Sequence, residues 1–343
     1  MLEQREVPLA GLTTLRLGGP ARRLLTASTD EEVVEAVRTA DAAGEPLLVL
    51  GGGSNLVAPD EGFDGTVLRI ATRGLAEAPG AGHALLVEAG VDWDHVVDLA
   101  VQEGYAGIEA LSGIPGEVGA APIQNIGAYG QDLAQTVAWV RALDRSTGDV
   151  VVLDNPGCRF TYRHSVFKDS DRYVVLAVAL SLEHSRAGAP IRYAELAGTL
   201  GVDIGERAPS ADVRAAVLEL RRGKGMVLDP ADNDTWSAGS FFTNPVLPAD
   251  DAARLLPSDA PRWPERDGAV KASAAWLIER SGFSKGYGSG PVGISTKHTL
   301  ALTNRGGATT ADLLALAREV RDGVRERFGI TLVNEPVIFG AEL

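Results

Sequence analysis

Residues 112–130 limit the possible folds of this chain more than any other stretch. They read SGIPGEVGAAPIQNIGAYG, with five glycines, two prolines and almost no charge. Glycine and proline destabilise helix interiors, and the stretch is too long and too apolar for an ordinary solvated turn. Glycine lets a backbone approach a ligand closely and leaves main-chain N–H groups free to bind an anion. The stretch therefore predicts main chain folded around a bound cofactor.

A second glycine-rich segment, GGGSN at residues 51–55, follows a predicted buried strand. It does not match the dinucleotide pattern G-x-G-x-x-G, because residue 56 is leucine, and no Gly-Lys-Ser/Thr follows it. The segment can present N–H groups and a hydroxyl to a pyrophosphate, although a plain tight turn is an alternative. Its pairing with residues 112–130 favours the cofactor site.

Composition limits the compartment and the partners. The chain has 343 residues, enough for two or three domains. Its net charge of −14 argues against nucleic acid or an anionic membrane as a partner. Cys158 is the single cysteine, which favours a reducing compartment. No secretory signal, long apolar run or metal-ligand spacing is visible. We expect a cytoplasmic monomer with no bound metal.

The hydrophobic pattern predicts an α+β protein rather than a doubly wound sheet, because strands and helices do not alternate regularly. A capping box at Thr29 opens the first predicted helix, and Gly44 ends it. Further helices are predicted at 92–103, 210–222, 271–281 and 310–328. Strands are predicted at 46–50, 66–70, 84–88, 137–143, 149–153, 173–182, 330–333 and 337–339.

Three polar side chains stand out outside the glycine-rich segments. Arg163 lies among aromatic residues, which can hold a guanidinium to neutralise a carboxylate; an aromatic strand edge is the alternative. Ser240 follows Ala-Gly, and its hydroxyl can act as a proton donor; a turn serine is the alternative. Glu335 precedes a proline that keeps it out of a helix; a solvated loop carboxylate is the alternative.

In order along the chain, residues 13–20, 51–55, 113–116, 122–130, 162–168, 238–245 and 335–336 resemble the UDP-N-acetylenolpyruvoylglucosamine reductase family of bacterial cell-wall flavoenzymes. The resemblance implies a vanillyl-alcohol-oxidase-like (PCMH-like) FAD-binding domain at 1–208, with α+β subdomains at about 1–70 and 71–208. A family-specific α+β substrate-binding domain at 209–343 would follow, with its C-terminal segment returning to the active site.

The resemblance also implies FAD as the bound cofactor and NADPH as the hydride source. The residues that it assigns to FAD are Gly51, Gly52, Gly53, Ser54, Asn55, Leu56, Gly113, Ile114, Pro115, Gly116, Gly119, Ala120, Gln124, Asn125, Gly127, Ala128 and Tyr129.

The implied reaction is the reduction of UDP-N-acetylglucosamine enolpyruvate to UDP-N-acetylmuramate, a step of peptidoglycan precursor synthesis. Arg163 would stabilise the enolate that forms beside the substrate carboxylate, as expected for a cation facing developing charge. Glu335 would hold that carboxylate end as a protonated donor. Ser240 would give the final proton.

The substrate residues implied by the resemblance are Tyr162, Tyr193, Lys224, Asn244, Trp263 and His298. Tyr193 lies in a segment, 191–196, that resembles the substrate-covering loop of the tyrosine-loop subclass. Trp263 stands where relatives carry tyrosine. His298 stands where an amide is usual, which makes a diphosphate contact sensitive to pH. The segment 225–229 is longer than is usual in the family, so the match of Lys224 to the family's position depends on where the extra residues lie.

Two other functions fit part of the pattern. One is a flavoprotein oxidase of the same FAD fold that acts on an alcohol or sugar. Such oxidases often tether flavin through histidine or cysteine, and neither glycine-rich segment contains either residue. The other is a non-catalytic sugar-nucleotide-binding protein, against which the presence of Arg163, Ser240 and Glu335 argues.

Overall fold

The computed structural model describes residues 1–77 and 84–343. The helices are α1 Asp30–Ala43, α2 Trp93–Gln102, α3 Ala194–Leu200, α4 Ser210–Gly223, α5 Ala249–Leu255, α6 Ala274–Arg280 and α7 Thr310–Phe328. The strands are β1 Leu2–Pro8, β2 Pro20–Ala27, β3 Leu47–Leu50, β4 Leu56–Val57, β5 Phe63–Ile70, β6 Leu75–Glu77, β7 Ala84–Glu88, β8 Tyr105–Ala106, β9 Gly127–Ala128, β10 Gln131–Asp132, β11 Val137–Asp144, β12 Asp149–Asp154, β13 Tyr173–Ser181, β14 Glu183–His184, β15 Val246–Leu247, β16 Arg262–Pro264, β17 Val270–Ala272, β18 Val292–Ile294, β19 Leu302–Asn304 and β20 Val337–Ile338.

The chain divides into two compact units. The first unit comprises Met1–Val7, Ala21–Gly52 and Phe63–Gly223, and the second comprises Pro8–Pro20, Gly53–Gly62 and Lys224–Leu343. This division follows contacts within the fold, and it places α4 in the first unit. The predicted functional boundary at residue 208 stays a prediction. Among the described residues, no helix combines the length and the apolar character needed to cross a bilayer.

Two sheets organise the first unit. One has the order β1-β2-β5-β3, in which β5 lies parallel to β2 and to β3. The other has the order β12-β11-β13-β7-β6 with antiparallel pairs. The strands predicted at 137–143 and 149–153 are confirmed as β11 and β12, which form a hairpin paired from Trp139 with Asp154 to Asp144 with Asp149. Helix α2 buries Trp93, Val96 and Val97 against this second sheet's core.

Helix ends in both units follow their capping residues. Thr29 caps α1 by accepting the Glu32 N–H, and Gly44 ends it at φ 61°. The side chain of Glu32 reaches the N–H of Ser28, one residue before the cap. Helix α7 has a complete capping box between Thr309 and Asp312. These confirmed helices start and stop where a side chain or an αL residue satisfies the free backbone groups.

Helix α7 and short strands build the second unit. Its core combines one face of α7 with residues of α6, β18 and β19 and with Leu15, Leu17 and Val57 from earlier in the chain. The small sheets have the orders β15-β17-β16, β18-β19 and β20-β4. Strand β20 lies parallel to β4, which joins the C-terminal segment to the residues that follow Gly53.

In the second unit one predicted helix is confirmed with a later start, and one predicted strand is wrong. The helix predicted at 271–281 begins only at Ala274, because Ser273 caps it by accepting the Trp276 N–H. Lys271 instead lies in β17, where it pairs with Val246 and Trp263. The strand predicted at 330–333 does not form. The carbonyl of Val333 accepts hydrogen bonds from the N–H and the hydroxyl of Thr243, and ladder pairing begins at Asn334 as a single bridge to Phe242.

Candidate active site

The two glycine-rich segments meet in the first unit. A Cβ atom added to Gly52 would lie 3.0 Å from the Cα of Gly116, and one added to Gly51 would lie 3.1 Å from Glu117 Oε2. A Cβ on Gly119 would lie 2.5 Å from the Cβ of Ala89. We call Gly51, Gly52 and residues 112–130 the glycine cradle. Its close backbone contacts explain why side chains are excluded from these positions.

Backbone hydrogen bonds fix the cradle on the start of α2 and on the residues before it. The N–H of Trp93 donates to Gly116 O (3.0 Å), that of Val118 to Val91 O (2.9 Å), and that of Gly119 to Ala89 O (2.8 Å). The segment itself forms only one short 3₁₀ turn, Val118–Ala120. The predicted non-helical backbone is therefore held by tertiary bonds rather than by its own secondary structure.

A carboxylate that the sequence reasoning missed holds one cradle amide. Asp94 Oδ1 accepts the N–H of Gly113 at 2.6 Å and the Nη1 of Arg214 at 2.6 Å. Burial opposes ionisation of Asp94, but the hydrogen bonds from Arg214 and Gly113 outweigh it and lower its pKa. Arg214 lies in α4, so α4 supports the cradle. In a sequence, an acid near a helix start resembles an ordinary first-turn residue, so sequence reasoning could not identify this contact.

Arg163 contacts the far end of the cradle. Its Nη2 donates to Gly127 O at 2.6 Å and its Nη1 to Asn125 O at 3.3 Å. Arg163 has φ 53° and Asn125 has φ 46°, both in the left-handed region that non-glycine residues seldom adopt. Lys168 Nζ donates to Arg163 O at 3.2 Å. Arg163 is half-buried, and its hydrogen bonds to the carbonyls of Gly127 and Asn125 orient the guanidinium.

Ser240 and Glu335 lie on neighbouring segments of the second unit. The Glu335 N–H donates to Phe241 O at 2.8 Å, and Phe242 and Asn334 form an antiparallel bridge. Phe241 and Phe242 are 1% exposed, so their rings anchor the segment while Ser240 stays partly accessible. The fold therefore brings together a hydroxyl-bearing residue and a carboxyl-bearing residue that are far apart in sequence.

The remaining cofactor residues divide between the units. Gly53 is the first residue of the middle stretch of the second unit. It has φ 61°, and a Cβ there would lie 2.0 Å from Leu12 O. Asn55 O accepts the Val337 N–H at 2.9 Å, which places Asn55 beside the segment of Glu335. Ile114 and Ala128 are partly buried and pack against the core of the first unit. The cradle residues predicted for FAD in the first unit are Gly51, Gly52, Gly113, Ile114, Pro115, Gly116, Gly119, Ala120, Gln124, Asn125, Gly127, Ala128 and Tyr129, and those in the second are Gly53, Ser54, Asn55 and Leu56.

The two tyrosines predicted to contact substrate in the first unit are exposed. Tyr193 is 45% exposed and meets Tyr129 edge to face, with ring centroids 5.5 Å apart. Tyr162 is 39% exposed, and its ring lies 5.4 Å from the guanidinium carbon of Arg163. Exposed aromatic rings on either side of the cradle's end can stack on a planar ligand group.

The substrate residues predicted in the second unit occupy loops and a strand edge. Asn244 Oδ1 accepts the Ala274 N–H at 2.9 Å, so this oxygen is already used at the start of α6. Trp263 is 46% exposed on β16. The N–H of His298 donates to Ser295 Oγ at 3.1 Å. Lys224 is the first residue of the last stretch of the second unit, and it directly follows α4.

A second cluster missed by sequence reasoning fixes the loop that contains His298. Asp234 accepts hydrogen bonds from Ser295 Oγ at 3.0 Å and from the N–H of Thr296 at 3.0 Å. Lys297 pairs with Asp232, whose pKa is lowered chiefly by this hydrogen bond. Asp232 directly precedes the 3₁₀ turn Asn233–Thr235, and Asp234 lies within that turn. In a sequence such acids look like solvated loop residues, and only the fold shows which groups they bind.

The cradle fits a flavin dinucleotide. It offers closely approached main chain at Gly51, Gly52 and Gly116, with a buried carboxyl oxygen of Glu117 beside them. Arg69, which lies next to Leu50 across the β3–β5 pair, adds positive charge near the turn. Main-chain N–H groups and a nearby cation are the groups that bind a pyrophosphate.

Comparisons with known proteins agree with this geometry. Residues 21–154 match a FAD binding domain, and residues 229–339 match the C-terminal domain of UDP-N-acetylenolpyruvoylglucosamine reductase. The enzyme of that name from Thermobifida fusca is 60% identical over 99% of this chain and 98% of its own length, and that from Streptomyces avermitilis is 58% identical over 99% and 96%. The crystal structure of the Thermus caldophilus enzyme has a TM-score of 0.69 at 27% identity and covers 98% of this chain and 100% of its own.

These matches confirm the predicted α+β fold with a FAD-binding domain followed by a family-specific C-terminal domain. The matches to these relatives run over nearly the whole chain. This chain belongs to the UDP-N-acetylenolpyruvoylglucosamine reductase family of FAD-dependent oxidoreductases.

Proposed function

We propose that this chain reduces UDP-N-acetylglucosamine enolpyruvate to UDP-N-acetylmuramate, with FAD as cofactor and NADPH as reductant, in peptidoglycan precursor synthesis. Family membership supports the substrate and the reductant. The observation that carries the residue assignment is the pairing of the Phe241 and Glu335 main chains, which sets Ser240 and Glu335 on adjacent segments. Arg163, fixed on the cradle carbonyls, is the third residue of the proposed set.

Each residue of this set has a distinct task. Bound FAD supplies hydride chemistry between the nicotinamide and the substrate's vinyl carbon. Arg163 stabilises the negative charge that develops next to the substrate carboxylate. Glu335, when protonated, donates to the carboxylate end of the substrate. Ser240 donates a proton to the carbon beside that carboxylate, a transfer that a strongly basic enolate makes feasible for a hydroxyl.

The remaining predicted residues bind the nucleotide part of the substrate in this proposal. Tyr193 and Tyr162 present exposed rings, which suit stacking or hydrogen bonding. We assign the diphosphate contacts to Lys224 and His298, and further polar contacts to Asn244 and the indole N–H of Trp263. A uridine diphosphate carries its charge on the phosphates, so the cationic residues matter most for affinity.

We also propose that the protein acts as a monomer in the cytoplasm. A net charge of −14 disfavours self-association through electrostatic repulsion, and the single cysteine, Cys158, is buried. Light scattering of the purified protein measures the first point, and a dimer mass contradicts it. Fractionation of cells that express the natural gene measures the second.

A visible spectrum tests the function directly. The purified protein should be yellow, lose that colour under anaerobic NADPH, and regain it when the enolpyruvyl nucleotide is added. Colour that stays on acid-precipitated protein would indicate a covalently bound flavin and an oxidase. Bleaching without recolouring would exclude this substrate, whereas a protein that only binds sugar nucleotides would show neither change.

A further inference from the structure

The charged residue inside the glycine cradle, Glu117, has a buried carboxyl group. The residue is 8% exposed and follows Gly116, the glycine whose Cα faces Gly52. Its Oε2 atom is inaccessible to solvent and has no hydrogen-bond partner in the described part of the chain. The same oxygen lies 3.1 Å from the position of a Cβ on Gly51. The carboxyl group of Glu117 therefore lies beside the glycine-rich turn that begins at Gly51.

A second buried glutamate in the same unit shows what a structural role looks like. Glu109 is 0% exposed, and its carboxylate accepts hydrogen bonds from the N–H of Gly107 (2.6 Å), Nε2 of Gln131 (2.8 Å) and the N–H of Ala189 (2.6 Å). Glu109 thus ties three segments together with its oxygens satisfied. Glu117 has a similar burial and lacks such donors for Oε2.

A buried polar group without a hydrogen-bond partner destabilises the fold. Burial raises the pKa of Glu117 to about 7, against the opposing effects of Arg69 and Arg73; Asp92, bridged to Glu117 across the cradle's base, raises it further. A carboxyl group in this range is largely neutral at slightly acid pH, and a neutral carboxyl group is a hydrogen-bond donor. A ligand oxygen in the cradle would supply the missing partner.

We propose that Glu117 is a further cofactor-binding residue, whose protonated carboxyl group donates a hydrogen bond to an oxygen of FAD beside Gly51. The inference rests on the cradle proposed above. It assigns a side-chain contact to a site that otherwise binds through main chain. FAD carries acceptor oxygens on its pyrophosphate, ribityl chain and isoalloxazine, and any of them can receive this bond.

The proposal makes FAD binding depend on pH in a defined direction. Because the complex needs the neutral carboxyl group, FAD raises the pKa of Glu117, and binding takes up a proton from solution above the free protein's pKa. The affinity for FAD is then constant below about pH 7. Above that pH it falls, by at most about tenfold per pH unit. Ionised Glu117 would also repel the pyrophosphate, which acts in the same direction.

The test measures FAD release from the purified holoprotein. Serial dilution at several values between about pH 6 and pH 9, followed by the fluorescence of released FAD, gives the Kd at each pH. The wild-type Kd should rise with pH above about 7. Glu117→Gln keeps a donor and cannot titrate, so its Kd should stay flat. Glu117→Leu should bind FAD about tenfold more weakly below pH 7, the loss of one hydrogen bond. Glu103→Gln, at an exposed acid after α2, is the matched control and should follow the wild type.

The outcomes separate this inference from the cofactor assignment. If the wild type and Glu117→Gln have the same pH dependence, the inference is wrong while FAD binding stands. If the wild-type protein holds no FAD, the cofactor assignment fails and the inference fails with it. Should Glu117→Leu not fold, the comparison of the wild type with Glu117→Gln still decides.

Discussion

The two regions proposed to act in catalysis are built in opposite ways. In the first unit the cradle offers main chain, and a Cβ added to Gly51, Gly52 or Gly119 would lie 2.5–3.1 Å from neighbouring backbone or side-chain atoms. In the second unit Ser240 and Glu335 offer side chains from segments fixed by main-chain bonds to each other. We therefore expect substitutions in the cradle to act by adding volume at close contacts. Substitutions at Ser240 and Glu335 should act by removing a reactive group.

The largest expected effect is at Ser240. Ser240→Ala removes the proposed proton donor, so oxidation of the reduced enzyme by the enolpyruvyl nucleotide should slow by about 10²–10⁴-fold. Reduction by NADPH and FAD content should be unchanged, and stopped-flow absorbance measures both half-reactions. Ser284→Ala, at an exposed serine of the same unit, is the control. Equal loss of both half-reactions would refute the role.

Substitution of Arg163 tests whether this residue acts in the reaction or in FAD binding. Arg163→Met should slow the same half-reaction by about 10²–10³-fold, the cost of removing one group that stabilises developing charge. The protein should keep its FAD, as read from the visible spectrum. A colourless product would instead mean that the bonds to Gly127 O and Asn125 O hold the cofactor site. The exposed Arg159 provides the control Arg159→Met.

A matched pair of glycine substitutions tests the volume argument. Gly119→Ala places a Cβ 2.5 Å from the Cβ of Ala89, so it should cost about 1–3 kcal/mol of unfolding free energy and lower FAD content. Gly198→Ala adds a Cβ in helix α3 with nothing within 4 Å, and it should stabilise the protein by about 0.5–1 kcal/mol. Urea denaturation measures both. Equal stability of the two variants would contradict the close packing.

Asp94 and Arg214 test the support beneath the cradle. Arg214→Met removes two donors from the Asp94 carboxylate and should cost about 1 kcal/mol at pH 7. Because Asp94 has a lowered pKa, its contribution is present above the unfolded-state pKa and is lost as pH falls through the folded-state value. The stability gap between wild type and variant should therefore narrow below about pH 4. A gap that widens in acid would contradict the assignment.

The smallest expected effect is at His298. His298→Gln restores the amide usual in relatives, so KM for the nucleotide should change by less than about tenfold and kcat by less than that. Initial rates over a pH series measure both constants. If the wild type's KM varies with pH and the variant's does not, the histidine titrates at the diphosphate. A change in kcat alone would place His298 outside substrate binding.

Sequence reasoning succeeded where local signals and periodicity agree. The apolar face predicted α7 at its observed bounds, and the strands predicted at 137–143 and 149–153 form the β11–β12 hairpin. Sequence reasoning started one helix at Lys271 rather than at Ala274, because strand pairing of Lys271 with Val246 overrides helix propensity there. It also missed Asp94 and Glu117, because neither residue's role is visible without its spatial neighbours.

By itself, the sequence determined the α+β class, the two glycine-rich segments and the candidate groups Arg163, Ser240 and Glu335, since glycine content, capping and periodicity are local properties. The tertiary structure alone decided that Gly52 meets Gly116, that Glu335 pairs beside Ser240, and that Glu117 is buried without a partner for Oε2 among the described residues. Contacts between residues distant in sequence depend on which surfaces the core brings together, and no local pattern encodes that.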